Sequence, residues 1–147
     1  MGPAAEPAVP ALIVALADSV SDVRVVSAEA LAAIGLGASS AVPALVNALH
    51  SDEHGAVRAA AAEALAKIGD ACAVPELAEA LWSQEDVSVR IKAAQAIAHL
   101  TDNQFPDLEW GAHGYKLAEN GEPLLVITAQ EWWREEGESQ AWESCDN

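Results

Sequence analysis

The sequence repeats itself, and repetition restricts the possible folds more tightly than any single motif. Val9-Pro10-Ala11-Leu12-Ile13-Val14-Ala15-Leu16 returns as Val42-Pro43-Ala44-Leu45-Val46-Asn47-Ala48-Leu49 and again as Val74-Pro75-Glu76-Leu77-Ala78-Glu79-Ala80-Leu81. The prolines stand 33 and then 32 residues apart. A second pattern follows each first one. It runs from Val23-Arg24 to Ile34-Gly35, from Val57-Arg58 to Ile68-Gly69, and from Val89-Arg90 to Leu100. Two patterns that keep their order three times define a unit of two elements.

Each element has helical spacing. Val42, Leu45, Val46 and Leu49 fall at i, i+3, i+4 and i+7, and Val57, Ala61, Leu65 and Ile68 line one face of the second type. The proline of the first type lies in the first turn, where its missing N–H is harmless. Ser40 is placed to cap the second copy of that helix. Gly35 and Gly69 follow the last apolar residue, as a helix stop does. The connectors carry Asp18-Ser19, Ser51-Asp52-Glu53 and Ser83-Gln84-Glu85-Asp86, which is turn and cap chemistry. The alanine rows of the second helices, such as Ala59 to Ala62, favour helix and allow close approach between helices. The spacing therefore predicts three helical hairpins, at about 8–35, 40–69 and 72–101. One hairpin cannot bury its own apolar face, but a stack of about three can.

The Val-Pro-x-Leu-x-x-Ala-Leu helix, the Asp-containing turn, the Val-Arg pair and the closing Ile-Gly together resemble HEAT-like repeats of the short type found in phycobilisome lyases. The resemblance covers about residues 8–101. It implies an all-α fold: a short right-handed α-solenoid of three hairpins whose second helices line the concave side. It also implies that a turn acid pairs with the arginine of the following helix. Here those pairs are Asp18 with Arg24, Asp52 or Glu53 with Arg58, and Glu85 or Asp86 with Arg90. A resemblance in repeat type says little about activity, because scaffolds, chromophore lyases and other enzymes share it.

Residues 102–147 differ in kind and read as an irregular Trp-rich cap with an acidic frayed tail. From residue 101 onward there are 11 acids against two bases, and four of the five tryptophans lie here. Asn120-Gly121 is a type I′ turn signal between Tyr115–Ala118 and Leu124–Ile127, which makes a small β-hairpin plausible, although Pro123 either weakens that reading or restricts the strand to an edge. Thr128-Ala129-Gln130-Glu131 reads as a capping box opening a short helix with Trp132 and Trp133. Those two tryptophans either cap the last hairpin, as in some small bacterial HEAT-like proteins that the tail resembles, or anchor a partner. At the other end, residues 1–7 show no capping helix. The face of Leu12, Ile13 and Leu16 is expected to be partly exposed, which makes a two-fold homodimer one option.

Charge narrows the function classes. Seven Lys and Arg stand against 23 Asp and Glu, a formal net charge of −16, which argues against direct binding to nucleic acid or to an anionic membrane. Cys72 and Cys145 lie 73 positions apart and make no disulfide framework, so a reducing, cytoplasmic setting is the default. No apolar run reaches the roughly 18 uncharged residues of a spanning helix. The His-Glu pairs by which some HEAT-repeat enzymes hold iron are absent, and His50, Asp52, Glu53 and His54 read as a solvated turn. There is no nucleophile motif and no phosphate loop, so no catalytic, cofactor or metal residue is assigned.

The expectation is a non-catalytic interaction module or small scaffold. Aligning the second helices gives three columns outside the core: Glu29, Glu63 and Gln95; Val26, Ala60 and Lys92; Ala33, Lys67 and His99. Stacking turns these columns into stripes on the concave face, with Glu29 and Glu63 as acidic contacts for a basic patch on a protein partner. The alternatives are a chromophore or small-ligand lyase-like enzyme, and an acidic protein that occupies a nucleic-acid-binding surface.

Overall fold

A computed structural model describes residues 3–84, 86–101 and 118–137. It contains seven α-helices among the described residues: α1 (Val9–Ala15), α2 (Ser21–Ile34), α3 (Val42–Ser51), α4 (Gly55–Ile68), α5 (Val74–Ala80), α6 (Val87–Thr101) and α7 (Leu124–Glu135). Each of α1, α3 and α5 packs against the helix that follows it, which makes three hairpins. The second helices then pack in series, α2 on α4, α4 on α6 and α6 on α7. The fold is an all-α, solenoid-like stack.

The core explains the composition. Leu31, Leu45, Leu65, Leu77, Leu81 and Ile97 are fully buried, and between them lie the buried alanines Ala61, Ala62, Ala64, Ala93, Ala94 and Ala96. Methyl groups at these contacts let the second helices approach closely, and the leucines fill the space between the layers. Gly35 and Gly69 end α2 and α4 with φ of +70° and +83°, values that an L side chain resists.

Three local expectations are corrected. Ser40 does not cap α3. Gly35–Ala41 winds as a 3-10 turn straight into the helix, so the cap position falls to Ala41 in a helical conformation. Short 3-10 turns likewise precede α1 (Pro3–Ala8) and α5 (Ala71–Ala73), so the first hairpin does have a preceding turn of helix. Leu124–Ile127 is not a strand of a hairpin. It is the first turn of α7, entered through Pro123 at the cap position. Thr128 is therefore one turn inside the helix, and its hydroxyl donates back to the Leu124 carbonyl at 2.9 Å. Asn120-Gly121 does form a tight turn, with Gly121 at φ +81° and the Ala118 N–H donating to the Glu122 carbonyl at 2.8 Å. Its first flank, Tyr115–Leu117, lies outside the described residues.

The expectation that no apolar run is long enough to span a membrane is corrected: the stretch Ser21–Ser51 is long and apolar enough by length and composition. It is two helices that turn at Gly35, with residues of both in the core. Cys72 is disulfide-bonded, which overturns the expectation of a free thiol, while Cys145 lies outside the described residues.

Candidate functional site

Two polar systems run along the stack. The first fixes the hairpins to one another. Arg24 on α2 forks onto the Asp52 carboxylate, Nε to Oδ2 at 2.7 Å and Nη2 to Oδ1 at 2.9 Å. Its Nη1 donates to the Asp18 carbonyl at 2.8 Å. The expected pairing within one hairpin is thus corrected. The arginine takes only a carbonyl from its own turn and reaches the carboxylate of the next hairpin. Arg90 repeats the arrangement, with forked bonds of 2.8 and 3.0 Å to Glu122 and a 2.6 Å bond to the Ser83 carbonyl. Arg58 gives Nη1 to the Asp52 carbonyl at 2.7 Å. The Asp86 carboxylate and the Arg58 guanidinium both border Gly55, where an added Cβ would collide with Asp86. Glu85 lies outside the described residues.

The side chains of Arg24 and Asp52 are each 8% exposed. Burial opposes ionisation of Asp52. The hydrogen bonds from Arg24 and from the His54 N–H outweigh it and hold the carboxyl below its ordinary value. The same bond to Asp52 raises Arg24 against its own desolvation.

The second system is the exposed face of α2, α4 and α6. Val26 is 61% exposed, Glu29, Ala33, Lys67 and His99 are exposed, and Ala60, Glu63, Lys92 and Gln95 are half-buried. None of the nine aligned positions is fully buried. Their charge pattern differs from a row of free acids. Glu63 accepts from Lys92 Nζ at 2.8 Å and from Lys67 Nζ at 2.9 Å, so one carboxylate is matched by two ammonium groups. The hydrogen bonds from Lys92 and Lys67, acting against partial desolvation, lower the Glu63 carboxyl to about 2. Lys92 has the length to cross from α6 to α4, which residue columns do not reveal. Glu29 has no ion-pair partner among the described residues and is the open acid of this face.

At the end of the stack, α7 is bound to the third hairpin by more than apolar contact. Besides the Arg90–Glu122 fork, Gln130 donates to the Leu81 carbonyl at 2.8 Å and the Arg134 guanidinium lies 5.8 Å from the centre of the Trp82 ring. Trp132 is buried and Trp133 half-buried, with ring centres 6.2 Å apart, and the Trp133 indole lies against Gly137 where a Cβ would collide.

In the histidine–acid turn, His54 Nδ1 lies 3.5 Å from Glu53 Oε1 and 3.8 Å from Asp52 Oδ1, while His50 stands apart. Asp52 is held by Arg24, and the His54 ring nitrogen Nδ1 lies 3.2 Å from Arg24 Nη2. His50 instead meets Glu76 at 3.0 Å, and ligand atoms of His50, Glu76 and Glu79 lie within 4.8 Å of one another. An imidazole and two carboxylates suit a divalent metal but fall short of the four ligands of a structural zinc site. Sequence reasoning missed this group because it joins α3 to α5. Its one trace is that the third copy has glutamates where the first two have Ala11 and Val14, and Ala44 and Asn47. Open grooves of ≈ 520 Å³ and ≈ 380 Å³ lie at the turn edges, one beside Trp82 and Glu79, the other beside Arg24 and Asn47.

The model of HEAT repeats matches residues 7–103. The chain belongs to the HEAT-repeat family. The match covers the three hairpins, and HEAT repeats generally mediate protein–protein interaction. No curated protein matches the chain. In this HEAT-repeat protein the stacking continues past the matched region, because α7 packs on α6 and the preceding turn supplies the acid for Arg90.

Proposed function

We propose that this HEAT-repeat protein is a non-catalytic interaction module that holds a protein partner across the exposed face of α2, α4 and α6. One observation supports the reading: Val26, Glu29, Lys67, Gln95 and His99, aligned positions on the second helices of three separate hairpins, all keep solvent exposure. Val26 offers an apolar contact and Glu29 an acid with no ion-pair partner among the described residues, so a basic group of the partner meets the α2 end. Lys67 and Lys92 hold Glu63 in place, and that middle section contributes shape more than charge. The net charge of −16 speeds encounter with a basic partner and makes the association salt-sensitive. The likeness to phycobilisome-lyase repeats remains a likeness of repeat motifs.

The test is affinity isolation with the purified protein, eluted by rising salt and read by mass spectrometry. A basic protein held by the wild type, released by salt, lost with Glu29→Lys and kept by Glu53→Lys supports the reading. Glu53 is a suitable control because its side chain is 79% exposed on a turn. Equal retention by the Glu29→Lys protein removes this face as the site.

A further inference from the structure

The arginine ladder has an open end. Asp18 and Asp52 are set in the same way. Each Oδ1 accepts the N–H two residues on, from Val20 at 2.8 Å and from His54 at 2.9 Å. Each carbonyl accepts Nη1 of the arginine six residues on, Arg24 at 2.8 Å and Arg58 at 2.7 Å. Asp52 also receives the fork of Arg24 from the preceding hairpin. Asp18 is exposed and receives no side-chain donor among the described residues. Its carboxylate is already oriented as an acceptor for a guanidinium that no described residue supplies.

The apolar residues around it tell the same story. Val23 is 39% exposed, whereas its counterparts Val57 and Val89 are 0% and 1% exposed. Leu12 and Ala30 are half-buried, whereas Leu45, Leu77, Ala64 and Ala96 are buried. These positions are covered wherever a hairpin precedes them and uncovered only on the first. The face is shaped to receive what α2 presents to α4, an arginine with small and branched apolar residues one turn on.

We propose that the end face of the first hairpin docks a helix of a partner protein that places an arginine on Asp18 and small apolar side chains on Leu12, Val23 and Ala30, adding one rung to the ladder. Charge selects this occupant over a second copy of the chain. Arg24, the one arginine or lysine of this hairpin, is already engaged by Asp52, so the same face of a second copy offers Asp18 no free guanidinium. The inference stands apart from the α2–α4–α6 face, because neither Glu29 nor Lys67 takes part.

The probe is a fluorescein-labelled, stapled helix copying residues 20–35, titrated into the intact protein and followed by anisotropy. Saturable binding is expected. Replacing the peptide arginine by glutamine, or Asp18 by Asn in the protein, weakens it by about tenfold, as the loss of a charge-assisted fork should. Combining the two changes adds no further loss. Asp18→Asn keeps the acceptor for the Val20 N–H, so the turn and the fold persist. Absent binding, or binding indifferent to Asp18→Asn, overturns the proposal. So does a dimer in sedimentation velocity that Val23→Glu dissociates, which would assign the face to a second copy. Glu29→Lys leaves the effect of Asp18→Asn in place, which separates this face from the neighbouring one.

Discussion

Replacing Asp52 by Asn tests how the hairpins are held in register. The amide keeps an oxygen for the His54 N–H, so the turn survives. The second oxygen, which accepts Arg24 Nε at 2.7 Å, becomes an NH2 facing another donor, and the negative charge is lost from a side chain that is only 8% exposed. A hydrogen bond to a charged group contributes about 1.5–3 kcal/mol, and a buried charge left without its partner adds to the loss. The expected cost for Asp52→Asn is about 2–3 kcal/mol, which in a chain of this size lowers Tm by about 5–10 °C. The internal reference is Asp18→Asn, the same chemical change in the same type of turn but without an incoming arginine. That change should cost less than about 0.5 kcal/mol. Thermal and urea unfolding followed by circular dichroism at 222 nm measures both. Equal costs for the two variants would refute the cross-hairpin role of Arg24.

Three further outcomes are expected. Glu63 and Asp52 have folded-state values below their ordinary ones, so the unfolded chain takes up protons first as pH falls. Their stabilisation is full above about pH 4.5 and declines toward pH 2. Glu63→Gln should flatten that decline in a Tm-versus-pH series. At neutral pH it should cost about 1 kcal/mol, a value discounted because the Glu63 side chain is 40% exposed. Leu65→Ala, at a fully buried position, should cost about 3 kcal/mol in urea unfolding, while Leu36→Ala, 74% exposed, should stay within about 0.5 kcal/mol. Trp132→Ala should cost about 3 kcal/mol and loosen α7, read as faster amide exchange over 124–135 than in the rest of the stack.

The hairpins were legible because their determinants are local and repeated. Pro10, Pro43 and Pro75 mark helix starts, Gly35 and Gly69 mark helix ends, and the apolar spacing between them has one period. The polar network was legible only in composition. Turn acids and Val-Arg pairs could be recognised, but which acid each arginine takes depends on how one hairpin lies on the next, and Arg24 chose Asp52 over Asp18. The Glu63–Lys92 pair escaped for the same reason, since it crosses 29 positions between two helices. In the C-terminal segment a correct turn signal at Asn120-Gly121 was extended into a strand. The apolar run Leu124–Ile127 fits either element, and packing against α6 selects the helix. The site columns were found by alignment, and none of their residues is fully buried. Their charge balance needed side-chain geometry, because Lys67 and Lys92 neutralise the acid at their centre.

The placement of the partner is the central claim, and site-directed photo-crosslinking tests it most directly. A photo-reactive residue at Val26, 61% exposed on α2, probes the face of the second helices, and one at Val14, 75% exposed on α1, probes the first-helix layer. A salt-sensitive adduct with a basic protein is expected from position 26 and none from position 14. An adduct from position 14 alone would contradict the claim.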